Sequence, residues 1–184
     1  MADFALLMHV SFDPVDGFTL RVPENRLPGE DDKVPRICLS DFVHSALTSM
    51  PYGGIALRGM LDFRKAAAVL HLYTAAYAGG GGFIEPELVQ SQFGVWDAIA
   101  MHEWWSVDRV PEFTHCIAVV KDATLREYRD INGNIQALVD AVQYDMVAAL
   151  PENAPELYFK KRGLNVSVRS IFKYFDDYKR EKCG

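Results

Sequence analysis

Apolar residues crowd positions 3–12 and return at strand-like density over 18–22, and between them Asp13-Pro14-Val15-Asp16-Gly17 has the composition of a turn. The pattern predicts an N-terminal β-hairpin. Positions 23–35 follow with three prolines and the acidic run Glu30-Asp31-Asp32, the marks of a solvated loop. From Ser40 the rhythm changes to threes and fours. Phe42, Val43, Ala46, Leu47 and Met50 share one helical face with Ser40 as its N-cap, and Pro51 and Gly53-Gly54 close it. The most regular stretch follows Asp62, where Phe63, Ala66, Ala67, Leu70, Tyr73, Thr74 and Tyr77 predict a long helix that Gly79-Gly80-Gly81-Gly82 ends.

Glu85-Pro86-Glu87 opens a short helix, with proline in the first turn and acids at the positive end of the dipole, and Gly94 breaks it. Positions 95–105 predict another helix, with Trp96, Ile99, Ala100 and Trp104 broadly along one side. Positions 113–120 are β-rich and predict a strand. A short helix is expected over 124–131. Asn134 then caps a longer one carrying Ile135, Leu138, Val139, Val142, Met146 and Leu150. After Pro151 and Pro155, a short strand at 157–159 leads to Val168, Ile171, Phe172, Phe175 and Tyr178 at helical spacing. The expected fold class is α+β: a mainly helical single domain over 1–184, with a small β-sheet that includes the N-terminal hairpin. A basic, helical C-terminal segment occupies about 157–184.

Composition supports a folded chain. Of the 184 residues, 49% are hydrophobic and 24% charged, values typical of a globular domain that can bury a core without staples. No apolar run reaches the roughly 18–20 residues of a membrane span, and positions 1–10 lack the basic start of a secretory signal. Cys38, Cys116 and Cys183 are odd in number and widely scattered, which predicts reduced thiols and a cytoplasmic location. The net charge of −6 is uneven: positions 159–184 carry +5 and the rest of the chain −11. An acidic body repels phosphates, so nucleic-acid contacts are expected only from the tail, at Lys160, Lys161, Arg162, Arg169, Lys173 and Lys179.

Signatures of catalysis are missing from the sequence. The glycine run is followed by Glu85 and Glu87 and by no Gly-Lys-Ser/Thr, so it reads as a helix terminator and not as a phosphate cradle. His102, His115 and Cys116, with Glu103, form the densest set of metal-ligand types, yet their spacing matches no zinc pattern. No Gly-x-Ser-x-Gly elbow or cysteine-nucleophile signature is present, so no catalytic residue is named and no cofactor is expected. Trp96, Trp104 and Trp105 fall within ten residues, and with Met101 they form the protein-contact candidates, because exposed tryptophan is a frequent hot spot.

From Leu61 to Val120 the predicted order is long helix, glycine loop, short helix, Gly94 turn, helix and strand. This order resembles the helix-turn-helix core of winged-helix domains in phage and plasmid replication or regulatory proteins, with residues 85–95 as its second helix and turn. The resemblance implies a recognition helix over 95–107, which carries Asp97 and Glu103 but no lysine or arginine and so is suited to packing on protein.

The sequence thus points first to a non-enzymatic macromolecular interaction protein. It would be a regulator or inhibitor, of phage or plasmid accessory type, that binds a protein partner through acidic and aromatic surfaces. A nucleic-acid binder with a winged-helix-like core and basic tail is the alternative, and a hydrolase-type enzyme the third. No membrane partner is expected.

Overall fold

A computed structural model of the chain describes residues 5–24, 26, 28–50, 53–64, 68–79, 81–129 and 133–148. Its elements run β1 (Ala5–Ser11), β2 (Ile37–Ser40), α1 (Val43–Thr48), α2 (Gly53–Arg64), β3 (Ala68–Tyr77), β4 (Phe83–Ile84), α3 (Pro86–Phe93), β5 (Glu103–Ser106), β6 (Thr114–Arg129) and β7 (Ile135–Ala148). The strands form one 7-stranded sheet in the order β4-β5-β2-β1-β3-β6-β7, with every neighbouring pair antiparallel. The expectation of a mainly helical domain is therefore overturned: strand dominates the described residues, and the helices form a thin layer on the sheet.

Each face of the sheet buries its own apolar set. Met8, Val10, Leu70, Leu72, Ala118 and Val120 face α1 and α2, which contribute Ala46, Leu47, Leu57 and Leu61. Further along the same face, α3 covers β5 through Val89 and Phe93, which pack with Trp105, Val95 and Ala98. On the opposite face Leu7, Ile37, Leu39 and Trp104 are covered by Phe18 and Leu20 from the loop after β1. The expected hairpin does not form, because β1 is flanked on one side by β2 and on the other by β3. Residues 18–22 instead contribute a single bridge, Arg21 to Arg36.

Three predicted helices are strands or turns. Positions 68–77 form β3, whose first six residues are all buried, so both faces are apolar and the strand period of two is erased. Positions 124–131 and 134–150 fall on β6 and β7 as far as they are described. Ladder irregularities set helical spacings inside these strands. The register steps from Val120 to Asp122 on β6 and from Ala141 to Val139 on β7, leaving Lys121 and Asp140 as extra residues. Val120 and Ala123, like Val139 and Val142, consequently pack into one core although they stand three apart.

The recognition helix expected over 95–107 is also absent. Residues 95–101 make successive tight turns, and β5 follows. The winged-helix likeness falls with it. Two helices stand near their expected places. Ser40 lies two residues ahead of N-cap Phe42 and accepts its N–H at 3.1 Å. Helix α3 starts with Pro86 and ends at Gly94, whose φ is 75°. Predicted elements beyond residue 148, including the basic segment, lie outside the described residues. None of the helices among the described residues is long and apolar enough to cross a membrane.

Candidate functional site

The site is built where α3, the turns at 95–101 and the start of α1 meet the sheet beside β5. Val95 and Ala98 point inward and are buried, while Trp96 and Ile99 point out and are about half exposed, at 50% and 47%. The turns close with Glu103 N–H donating to the Ala98 carbonyl at 2.8 Å and His102 N–H to that of Ile99 at 3.2 Å. This is the paired hydrogen-bond pattern of a Schellman motif, with His102 at the left-handed position, φ 51°, where glycine is the usual occupant. The strained backbone turns the His102 imidazole toward Asp41, and Nδ1–H donates to Oδ1 at 2.7 Å.

Asp41 and His102 form one lip of an open cleft of about 570 Å³. Its other walls are Tyr77 and Trp104 from the sheet, Glu85 and Glu87 from the start of α3, and Ile99. Tyr77 Oη–H donates to Glu85 Oε1 at 3.1 Å, and its ring meets that of Trp104 at 5.0 Å. Three carboxylates thus share the cleft, and no lysine or arginine lines it. Trp104 is more than nine-tenths buried, and its indole N–H finds no acceptor among the described residues. At the rim Phe42 is half exposed and lies 5.6 Å from the His102 ring, and Leu88 projects from α3.

The protein-contact candidates therefore separate. Trp96 lies on the surface and Met101 is half-buried at the end of the turns. Trp104 and Trp105 sit on a strand and not on a helix, so they point to opposite faces of the sheet. Both are core residues: Trp105 is fully buried, with the Arg36 guanidinium 3.7 Å above its ring and its N–H donating to Glu103 Oε1 at 2.7 Å. Cys38 lies in the same layer, and burial, reinforced by Glu103, pushes its thiol up to about 12, so it stays protonated.

The metal-ligand candidates are not brought together. His102 precedes β5, whereas His115 and Cys116 are on β6, four strands across the sheet and thus about 19 Å away. No group of three or more potential ligands converges among the described residues. His115 has a different partner, which the sequence reading missed. Its Nε2 lies 3.0 Å from His71 Nδ1 across the β3–β6 ladder, with Tyr73 stacked on it at 4.6 Å. Tyr73 Oη in turn accepts the Val15 N–H at 2.7 Å and holds the loop after β1 onto this face. One imidazole of the pair donates and the other accepts, so the pair is made from neutral rings. Burial, helped by His115, lowers His71 to about 4, and burial also lowers His115.

The pair would have been visible had β3 been read as a strand, since His71, Tyr73 and His115 then share one face. Asp41, Tyr77, Glu85 and His102 come from four separated segments, and no local spacing announces their convergence. The basic candidates Lys160, Lys161, Arg162, Arg169, Lys173 and Lys179 lie outside the described residues. No protein-family model, curated protein or solved structure matches this chain.

Proposed function

We propose that this chain is a non-enzymatic interaction protein, a regulator or inhibitor that binds a protein partner through its acidic and aromatic surface. The observation that carries the reading is the half-exposed set Trp96, Ile99 and Phe42 around a cleft lined by Asp41, Glu85 and Glu87. Large apolar side chains held out on tight turns, beside uncompensated carboxylates, suit a partner that is basic at its rim and apolar at its centre. Trp96 is its natural anchor, because a rigid indole buries much area at little entropic cost. A cytoplasmic setting fits the reading: Cys38 is a free, protonated thiol, and the three cysteines are widely spaced.

The test compares proteins retained by the immobilised full chain with those retained by Trp96→Ser and Ile99→Asp. Hot-spot truncations cost about 2 kcal/mol or more, so retention of the true partner should fall roughly thirtyfold. An identical set of retained proteins at unchanged yield on both variants would refute the reading.

A further inference from the structure

We infer that the cleft between Tyr77, Trp104 and the three carboxylates receives an arginine side chain from a peptide segment of the partner. The inference rests on the reading of this surface as a protein-binding one, and it names the chemistry at its centre.

Charge, shape and an unmet hydrogen bond support it. Asp41, Glu85 and Glu87 contribute three negative groups to one concave surface, and no cation lines that surface. Like charges gathered over low-dielectric walls focus a potential that a cation relieves on entry. Two of the carboxylates already use one oxygen, Asp41 Oδ1 toward His102 and Glu85 Oε1 toward Tyr77. Both groups are thereby held in place while further acceptor capacity remains. The volume of about 570 Å³ falls within the range of ligand clefts and admits a side chain together with the backbone that carries it.

The walls select within the cations. Tyr77 and Trp104 meet at 5.0 Å and give the cleft an aromatic side, against which a planar guanidinium stacks while its five donors reach the carboxylates. A lysine ammonium, compact and strongly hydrated, gains less from such a wall. The buried Trp104 N–H lacks an acceptor, an uncommon condition for a buried polar group, and it points to a ligand that brings an oxygen as well as a charge. A peptide segment brings both: the guanidinium for the acids and a carbonyl for the indole.

The probe is acetyl-Gly-Arg-Gly-amide, titrated into the full chain while the Trp104 indole N–H resonance, assigned with Trp104→Phe, is followed by NMR. The expected result is a saturable shift with Kd on the order of 1 mM, as befits one anchored side chain. Replacing arginine by its neutral isostere citrulline should weaken binding at least tenfold. Glu85→Gln/Glu87→Gln should do the same, and so should raising the salt from 50 mM to 500 mM. All three carboxylates are on the surface, and Asp41→Asn provides a second variant should the double one melt early. Absence of saturation, or equal binding of the citrulline peptide, overturns the inference. Agmatine binding as tightly as the peptide also overturns it, since the occupant would then be a free amine. The two readings fail separately. A chain that ignores the arginine peptide but loses its partner on Trp96→Ser keeps the surface reading without the arginine. One that takes the peptide but retains every protein on Trp96→Ser keeps the cleft without the surface.

Discussion

His71 and His115 meet at 3.0 Å as a neutral pair, and protonating both would set two positive charges side by side within the sheet. In the unfolded chain each histidine titrates near its ordinary value of 6.5, whereas burial holds His71 at about 4 and lowers His9, His44 and His115 as well. Between those limits the unfolded state binds more protons, so stability falls as pH falls from about 6.5 toward about 4 and is fully present above 6.5. Thermal melts at pH 7.5, 6.5, 5.5 and 5.0 should show a falling midpoint, with a shallower slope in His71→Gln; a flat profile would contradict the neutral pair. This chemistry was hidden in the sequence. A lone His71 in an alanine-rich run resembles a core histidine, and only the antiparallel register of Tyr73 with His115 gives it a partner. Acidic and aromatic residues, by contrast, were legible as surface material, although their sorting was not. Trp104 and Trp105 lie inward and Trp96 outward because residues 95–101 are turns that give way to a strand.

Helices α1 and α3 were readable because their ends carry local chemistry: Ser40 and Phe42 before one, Pro86 and Gly94 at the ends of the other. The strands β3, β6 and β7 were not. Strand β3 is covered on both faces and shows no alternation, and the extra residues Lys121 and Asp140 impose helical spacings on β6 and β7. Periodicity reports which residues are buried together, and it mistakes the element when a ladder irregularity resets the phase. Helix α2 exposes a related constraint. A Cβ added at Gly54 would lie 2.8 Å from the Ala137 carbonyl oxygen of β7, so the helix backbone rests almost directly on the strand. Gly54→Ala must push the helix off the sheet and should cost about 1–3 kcal/mol. Urea denaturation should register this as a lower midpoint with an unchanged m value. A gain in stability, as expected for a free helical glycine, would mean that the contact is absent.

Across the whole molecule the sheet is unevenly supported. Strands β1 and β3 are hydrogen-bonded on both sides, and helices and loop cover their two faces. Beyond Val120 the β6–β7 ladder continues as far as Arg129 and Ile135, and among the described residues these outer positions pair only with each other. Amide hydrogen exchange should therefore be slowest at Leu7, Val10, Leu70 and Leu72 and clearly faster over Glu127–Arg129 and Ile135–Ala137. Equal protection along the hairpin would show that its outer half is held by more than its own ladder.

The order of the strands also bears on how the chain is made. The first strand to leave the ribosome, β1, lies at the middle of the finished sheet, and later strands are laid down outward on both sides of it. β2 and β3 flank it as soon as residue 77 has emerged, so the centre of the sheet can close while more than half of the chain is still being translated. The two-residue β4 is the exception. It is synthesised before β5, the only strand that joins it to the rest, so the edge bearing Phe83 and Ile84 waits for residues 103–106. A nascent chain stalled between those points leaves the outer edge of β2 open, and it is there that chaperone capture of the unfinished protein is expected.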